Sequence, residues 1–254
     1  ASLPVSTDLW GCDVVASASQ KGWMLPPGLA FISFSDRAWE AHADARMPRF
    51  YFDASMYRSY FEIGQPPYTP AVSLMFALDL ALDRLLAEGM ESVFERHASI
   101  GQFTRDGLKG LGLTLFPRDE ATASDTVTAV SVPQGVDATR LVGLMREEHG
   151  VVLAGGQESL AGRIVRIGHM GLTTEQEIQD VIDALGAVLP KVGFRETQVR
   201  LIYIHQQRPA HRLYGVDTYA KDLFRLGSAT KGRQAPAPER PRTIRLSYLT
   251  CPGS

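Results

Sequence analysis

The sequence predicts an α/β protein, and three observations carry that prediction. Two short apolar, β-branched runs, Cys12 to Ala18 and Leu29 to Phe34, are too brief for helices and read as buried strands. After Pro70, Val72, Phe76, Leu80 and Leu85 recur at helical spacing. Strand-like and helix-like segments then alternate as far as Gly193.

In chain order, Ser35 suits the N-cap of a helix over "DRAWEAHADAR". Met47 to Tyr68 is rich in aromatics and flanked by Pro66, Pro67 and Pro70, so it reads as a structured loop. Thr69 as cap and Pro70 at the first helical position open a long helix to about Glu88. A second helix, Met90 to Leu111, follows the break at Gly89. Strands are expected at Thr126 to Val132 and Val151 to Leu153, with the helix Ala138 to Glu148 between them. "GRIVRIGHMG" supplies another strand. Thr174 caps an amphipathic helix to Leu189, with Glu175 and Glu177 at its positive end. The organisation is residues 1–88, the C-terminal part of a larger domain; 89–193, a small domain; and 194–254, a basic, Pro-rich tail expected to be disordered.

With 254 residues, 44% of them hydrophobic, and a net charge of -2, the chain has the composition of a folded globular protein rather than a fibrous or disordered one. Acidic and basic residues mix evenly up to Gly193, so no nucleic-acid footprint is read there. Cys12 and Cys251 match no metal-ligand spacing, and a reducing compartment is expected. No apolar run is long enough to span a bilayer. The opening "ASLPVSTDLWGCDVV" arrives at a strand with no element before it, which reads as a chain entered in mid-domain.

The chemistry centres on "ASASQKGWMLPPGLAF". A lysine taken at random is a solvated surface residue. Lys21, however, stands at the end of a predicted buried strand, between Gln20 and Gly22–Trp23 and before Pro26–Pro27, and is expected to have little room to reach bulk water. A desolvated amine loses part of its preference for the charged form, and a neutral amine can attack a carbonyl to form a Schiff base. Pyridoxal phosphate chemistry most commonly uses such a lysine. Further on, Ile164, Arg166 and Gly168 share one strand face while Arg163 falls on the other. An arginine on a strand beside glycines suggests a lined cleft. His97 reads as solvated on a polar helix face, and His169 as a structural residue at a strand end.

"SQKGWMLPPGLAFISFS", "QPPYTPAVSLMFALDLALDRLLAEGMESVFERH", "TVTAV" and "VVLAGGQESLAGRIVRIGHMG" together resemble class V aminotransferases of the alanine/serine–glyoxylate group, over about Trp10 to Gly193. The resemblance implies the C-terminal part of a fold-type-I transferase: a remnant of the large α/β domain plus a small α+β domain. It implies pyridoxal 5'-phosphate as cofactor, with Lys21 joined to it and moving a proton at the substrate α-carbon, and Gln20 contacting its ring-oxygen side or phosphate. Tyr68 and Thr69 compete for a contact across a homodimer interface to the partner's cofactor phosphate. Arg166 would grip the substrate carboxylate, and Gly155 and Gly156 would form a turn closing over substrate. Related cysteine desulfurases usually carry histidine before the lysine; Gln20 in that place favours amino transfer.

The family's phosphate loop, the aromatic residue stacked on the pyridine ring and the aspartate paired with its nitrogen have no counterpart in this sequence. The expected activity is transfer of an amino group from serine or alanine to glyoxylate or another small 2-oxo acid. A catalytically incomplete fragment with only an association role and a lyase on the same scaffold are the alternatives. The expected partners are those small substrates and a second subunit, with no nucleic acid and no membrane, in the cytoplasm or, as in some relatives, the peroxisome.

Overall fold

A computed structural model of the chain describes residues 1–194 and the backbone of Leu246–Thr250. It divides into two compact units: in the described residues, one is built on Pro4–Ala87 together with Leu246–Thr250, and the other on Ala1–Leu3 together with Glu88–Phe194.

In the first unit, β1 (Val14–Ala18) and β2 (Leu29–Phe34) form an antiparallel pair, with Ala18 opposite Ala30 and Val14 opposite Phe34. The first strand thus starts two residues after the predicted Cys12, beyond an exposed turn at Thr7 to Gly11 in which Gly11 takes φ +63. The Ser35 side chain accepts the Ala38 N–H and caps α1 (Asp36–Asp44), as the sequence predicts. The expected loop at Met47–Tyr68 contains a helix instead, α2 (Ala54–Glu62). The Asp53 carboxylate caps it by accepting the Ser55 N–H. α3 (Val72–Glu88) begins two residues after Pro70. The Ala71 carbonyl accepts the amides of Leu74 and Met75, so the predicted capping role of Thr69 is not realised.

The buried core of this unit is small: Leu25, Leu29, Phe31, Leu78 and Ala81, with Trp23, Leu74 and Met75 packed against them. On the other side of α3, Val72, Phe76 and Leu80, spaced four residues apart, are exposed.

The second unit holds α4 (Met90–Gly110), β3 (Val127–Ser131), α5 (Ala138–His149), β4 (Ala154–Gly155), β5 (Ile164–Gly168) and α6 (Glu175–Val188). The strand expected at Val151–Leu153 does not form there; β4 is the two residues that follow it, Ala154–Gly155. The sheet order β3-β5-β4 is antiparallel throughout and places β5 at its centre. Sixteen buried apolar residues form the core, from Ile100 and Leu108 through Val165 and Ile167 to Leu185 and Val192. α4 and α6 approach closely because position 107 is glycine; a Cβ there would stand 2.2 Å from Ile182 Cδ1. Thr174 caps α6 as expected, and the Glu177 side chain completes a capping box with it.

The tail expectation for residues 194–254 falls outside the described residues, apart from Phe194 and the strand β6 (Leu246–Thr250), whose backbone pairs antiparallel with β2.

Candidate active site

Lys21 occupies the connection between β1 and β2, and the geometry of that connection is set from its base. The Ser19 hydroxyl donates to the Pro26 carbonyl at 2.7 Å and accepts the Leu29 N–H at 3.2 Å. The Ser19 backbone adds bonds to Leu29 O and from Leu25 N–H. Ser19 itself is fully buried, so these bonds are shielded from competing water. Trp23 Nε1–H donates to Ser17 Oγ at 2.8 Å, and its ring packs on Phe31 at 4.9 Å. Gly28, at φ +138, lies where a Cβ would come within 2.6 Å of Leu74 Cδ1.

Above this base, residues 21–24 form a turn in which the Met24 N–H donates to the Lys21 carbonyl. Gln20 and Lys21 sit at its tip and are exposed. The expected desolvation of Lys21 is therefore not found among the described residues. The prolines and Trp23 constrain the backbone of the loop, while the lysine side chain projects away from it. Ser19 is the residue that sequence reasoning missed, since a serine before a lysine looks like ordinary turn chemistry.

Tyr68 stands in an aromatic cluster, 4.6 Å from the Tyr51 ring and 6.1 Å from that of Tyr57, and its hydroxyl donates to the Phe50 carbonyl at 3.4 Å. Burial, with Tyr51 and Tyr68 nearby, pushes the Tyr57 phenol up to about 12. Thr69 is exposed and, without a capping role, presents its hydroxyl to solvent.

Arg166 lies in the second unit, on the central strand β5, opposite Ala129 of β3 and Ala154 of β4. Two alanines leave room above the sheet for the long side chain. Arg166 Nε–H donates to the Gly155 carbonyl at 3.0 Å. No other hydrogen bond or ion pair to this guanidinium is found among the described residues, which leaves its paired Nη groups available to a ligand. Gly156 donates its N–H to the Ile164 carbonyl, and a Cβ at 156 would meet the Leu160 carbonyl oxygen at 1.9 Å, so the turn holding Gly155 requires glycine. Arg163 lies outside β5, exposed, reaching the Ser159 carbonyl at 3.4 Å.

Two histidines of the second unit, His97 and His169, are buried. His169, 1% exposed, pairs through Nε2 with Thr128 Oγ1 at 2.8 Å, as its structural reading requires. Burial, with Arg105 nearby, lowers its imidazole to about 4. His97 is also 1% exposed, which corrects the solvated reading. It lies between the Val93 carbonyl and the Gly171 amide, 74 residues further along the chain.

A phosphorylated pyridine aldehyde needs an accessible primary amine on a fixed backbone, and the Lys21 turn meets that need. Among the described residues no group of three or more His, Cys, Asp or Glu could hold a metal ion, and no helix is long and apolar enough to cross a membrane.

The fold, with its lysine-bearing hairpin and its arginine-bearing sheet, is that of α/β pyridoxal-phosphate-type transferases. The chain belongs to the aminotransferase class-V family, which matches residues 1–181. It is 46% identical over 193 residues to the soluble hydrogenase small subunit of Synechococcus sp., covering 76% of this chain and 50% of that protein. It is 40% identical to the L-aspartate–glyoxylate aminotransferase of Paracoccus denitrificans, covering 76% and 48%. The crystal structure of pyridoxamine–pyruvate aminotransferase from Mesorhizobium loti superposes with a TM-score of 0.72 at 33% identity, covering 76% of this chain and 50% of that one. Other relatives are named serine–glyoxylate and alanine–glyoxylate aminotransferases. The chain spans about half the length of the curated relatives it matches.

Proposed function

We propose that this sequence supplies the lysine and the carboxylate-binding arginine of a pyridoxal 5'-phosphate-dependent transaminase, which moves an amino group from serine or alanine to glyoxylate or another small 2-oxo acid. The observation that carries the reading is the exposed amine of Lys21 at the tip of a hairpin connection fixed by Ser19, within a chain whose family match runs from residue 1 to 181. The hydrogenase name belongs to the Synechococcus relative; the present reading follows the family and these two side chains.

When bound, the cofactor supplies an electron sink for the carbanion formed at the substrate α-carbon. Lys21 would hold the cofactor through Nζ, and the same amine would move a proton at the substrate α-carbon. The fixed turn orders the Lys21 backbone in advance, so that only the side chain's own rotors remain to be ordered. Arg166 binds the substrate carboxylate through its two Nη groups, and its Nε bond to Gly155 fixes the plane of the fork. Gln20 sits beside Lys21 to contact the cofactor. Of the two hydroxyl candidates for a phosphate across a homodimer interface, the exposed Thr69 is better disposed than Tyr68, whose hydroxyl already bonds Phe50. A cytoplasmic location belongs to the same reading.

The test is direct. The protein is incubated with pyridoxal 5'-phosphate, reduced with borohydride, digested and mapped by mass spectrometry, while glycine formation is followed from alanine or serine with glyoxylate. Label on Lys21, and label and turnover lost in Lys21→Ala, are expected. Label distributed among surface lysines with none preferred would refute the assignment.

A further inference from the structure

Two adjacent residues of α4, Arg96 and His97, hold the two backbone polar groups of one residue beyond β5, Gly171. The Gly171 N–H donates to His97 Nε2 at 3.1 Å. The Gly171 carbonyl accepts from Arg96 Nη1 at 2.6 Å. Neither side chain is free to swing. Arg96 is fixed by Glu88, Nε to Oε1 at 2.6 Å and Nη2 to Oε2 at 3.0 Å. His97 donates from Nδ1 to the Val93 carbonyl at 2.7 Å, which leaves Nε2 as the acceptor that Gly171 requires. Gly171 is buried at φ +81, a conformation most side chains resist. Its N–H and carbonyl therefore need protein partners, and both come from one dipeptide.

The clamped turn connects directly to the Arg166 strand. β5 ends at Gly168, the His169 N–H donates to the Thr126 carbonyl, and the clamp follows two residues later. Arg166 reaches Gly155 only while β5 keeps its register between β3 and β4.

We infer that Arg96 and His97 form a two-point clamp on the backbone of Gly171, one bond on each of its two flanking peptide groups, that fixes the exit of β5 and makes His97 a positioning residue for Arg166. For its functional weight the inference rests on the reading of Arg166 as the carboxylate grip.

The clamp works only with an unprotonated ring, because a second ring proton would face the Gly171 N–H donor to donor. The charged groups facing His97 are the Arg96 guanidinium and the Ala1 amino group, which oppose ring protonation, and the Glu88 carboxylate, which favours it. Burial is the largest influence and also opposes protonation. Acid should therefore release Gly171 in the wild type. A glutamine at 97, whose amide oxygen accepts the same bond without titrating, should hold it.

The experiment uses the full 254-residue chain, labelled with 15N, and follows hydrogen exchange at the Gly171 amide and the Arg166 Nε–H. In His97→Leu, Gly171 exchange is expected to accelerate at least about tenfold, with faster exchange and a shifted signal at Arg166 Nε–H, while the Ile178 and Leu185 amides stay protected. His97→Gln should restore both signals and remove their acid sensitivity. If His97→Leu does not fold, Arg96→Gln provides the same two readouts by removing only the carbonyl half of the clamp. Unchanged Gly171 exchange in these variants, or a released Gly171 with an unmoved Arg166 Nε–H, overturns the inference. Neither readout involves substrate, so a failed carboxylate assignment for Arg166 would appear separately, as an Arg166→Ala variant with undiminished substrate capture.

Discussion

Arg166 and Gly155, eleven residues apart, are joined by a single bond from the guanidinium Nε–H to the glycine carbonyl at 3.0 Å. The bond engages the one nitrogen of the fork that a bidentate carboxylate does not need. Arg166→Ala in the assembled enzyme is expected to lower kcat/KM for every amino donor by roughly 2 to 5 kcal/mol, with cofactor attachment at Lys21 retained. Arg166→Lys should recover only part of this, because an ammonium cannot bond Gly155 and still present a fork. Steady-state kinetics with alanine and serine would show it, and near-normal kcat/KM in the alanine variant would remove Arg166 from the site.

Ser19→Ala is expected to cost about 1 to 3 kcal/mol, since it leaves the buried Leu29 N–H and the Pro26 carbonyl without their partner. Among the described residues, the bonds lie beside the buried cluster of Leu25, Leu29, Phe31, Leu78 and Ala81, so the loss falls on the packing of that cluster. Urea unfolding followed by Trp23 fluorescence measures the effect. A midpoint within error of wild type would mean the loop is held by its prolines alone.

The α4–α6 contact at Gly107 and Ile182 makes a testable pair. Gly107→Ala gains up to about 1 kcal/mol of helix propensity but drives a methyl into Ile182 Cδ1, and overpacking of that kind costs about 1 to 3 kcal/mol. Ile182→Val removes that carbon at a cost of about 0.5 to 1.5 kcal/mol on its own. The double variant should be more stable than the sum of the single changes predicts. Strict additivity in a double-mutant cycle would show that the helices simply move apart.

Stability should fall as the solution is acidified from neutrality. His169 has a folded value of about 4, below its ordinary 6.5, so the unfolded chain binds its proton first. Its contribution is fully present above about pH 6.5 and is lost as pH falls towards 4, about 2 kcal/mol of it between roughly pH 7 and pH 5. His97, lowered by burial, acts in the same direction. Carboxylates lowered by partners, such as Glu88 beside Arg96, add their loss only at more acidic pH, near and below the ordinary carboxylate range. Urea midpoints across this range should slope downward, and less steeply in His169→Asn. An equal slope in both proteins would assign the effect elsewhere.

What was legible in the sequence was the part with local causes. Ser35 and Thr174 cap the helices they precede, and apolar spacing located α3, α4, α5 and α6. α2 was hidden because its apolar residues lie among flanking aromatics and prolines, which read as loop; its one local signal was Asp53. Thr69 and Pro70 carry every mark of a helix start, yet the helix begins at Val72, where Ala71 supplies the first carbonyl. His97 could not be placed by its position on α4, because its burial depends on Gly171, 74 residues away. The enclosure expected for Lys21 was inferred from neighbours that brace the backbone, and bracing a backbone does not cover a side chain.

The Lys21 connection is held from Ser19, Leu25, Gly28 and Leu29, while the residues at its tip, Gln20 and Lys21, give no side-chain bond to that bracing. Scaffold and reagent therefore occupy different positions in a stretch of eleven residues. Under the proposed assignment, a change at position 20 would alter the cofactor contact without unfolding its support, whereas change at 19 or 28 would dismantle the support whatever chemistry it carries. In a lineage descending from such a hairpin, new reactions should be acquired at the tip and inherited constraint should accumulate at the base.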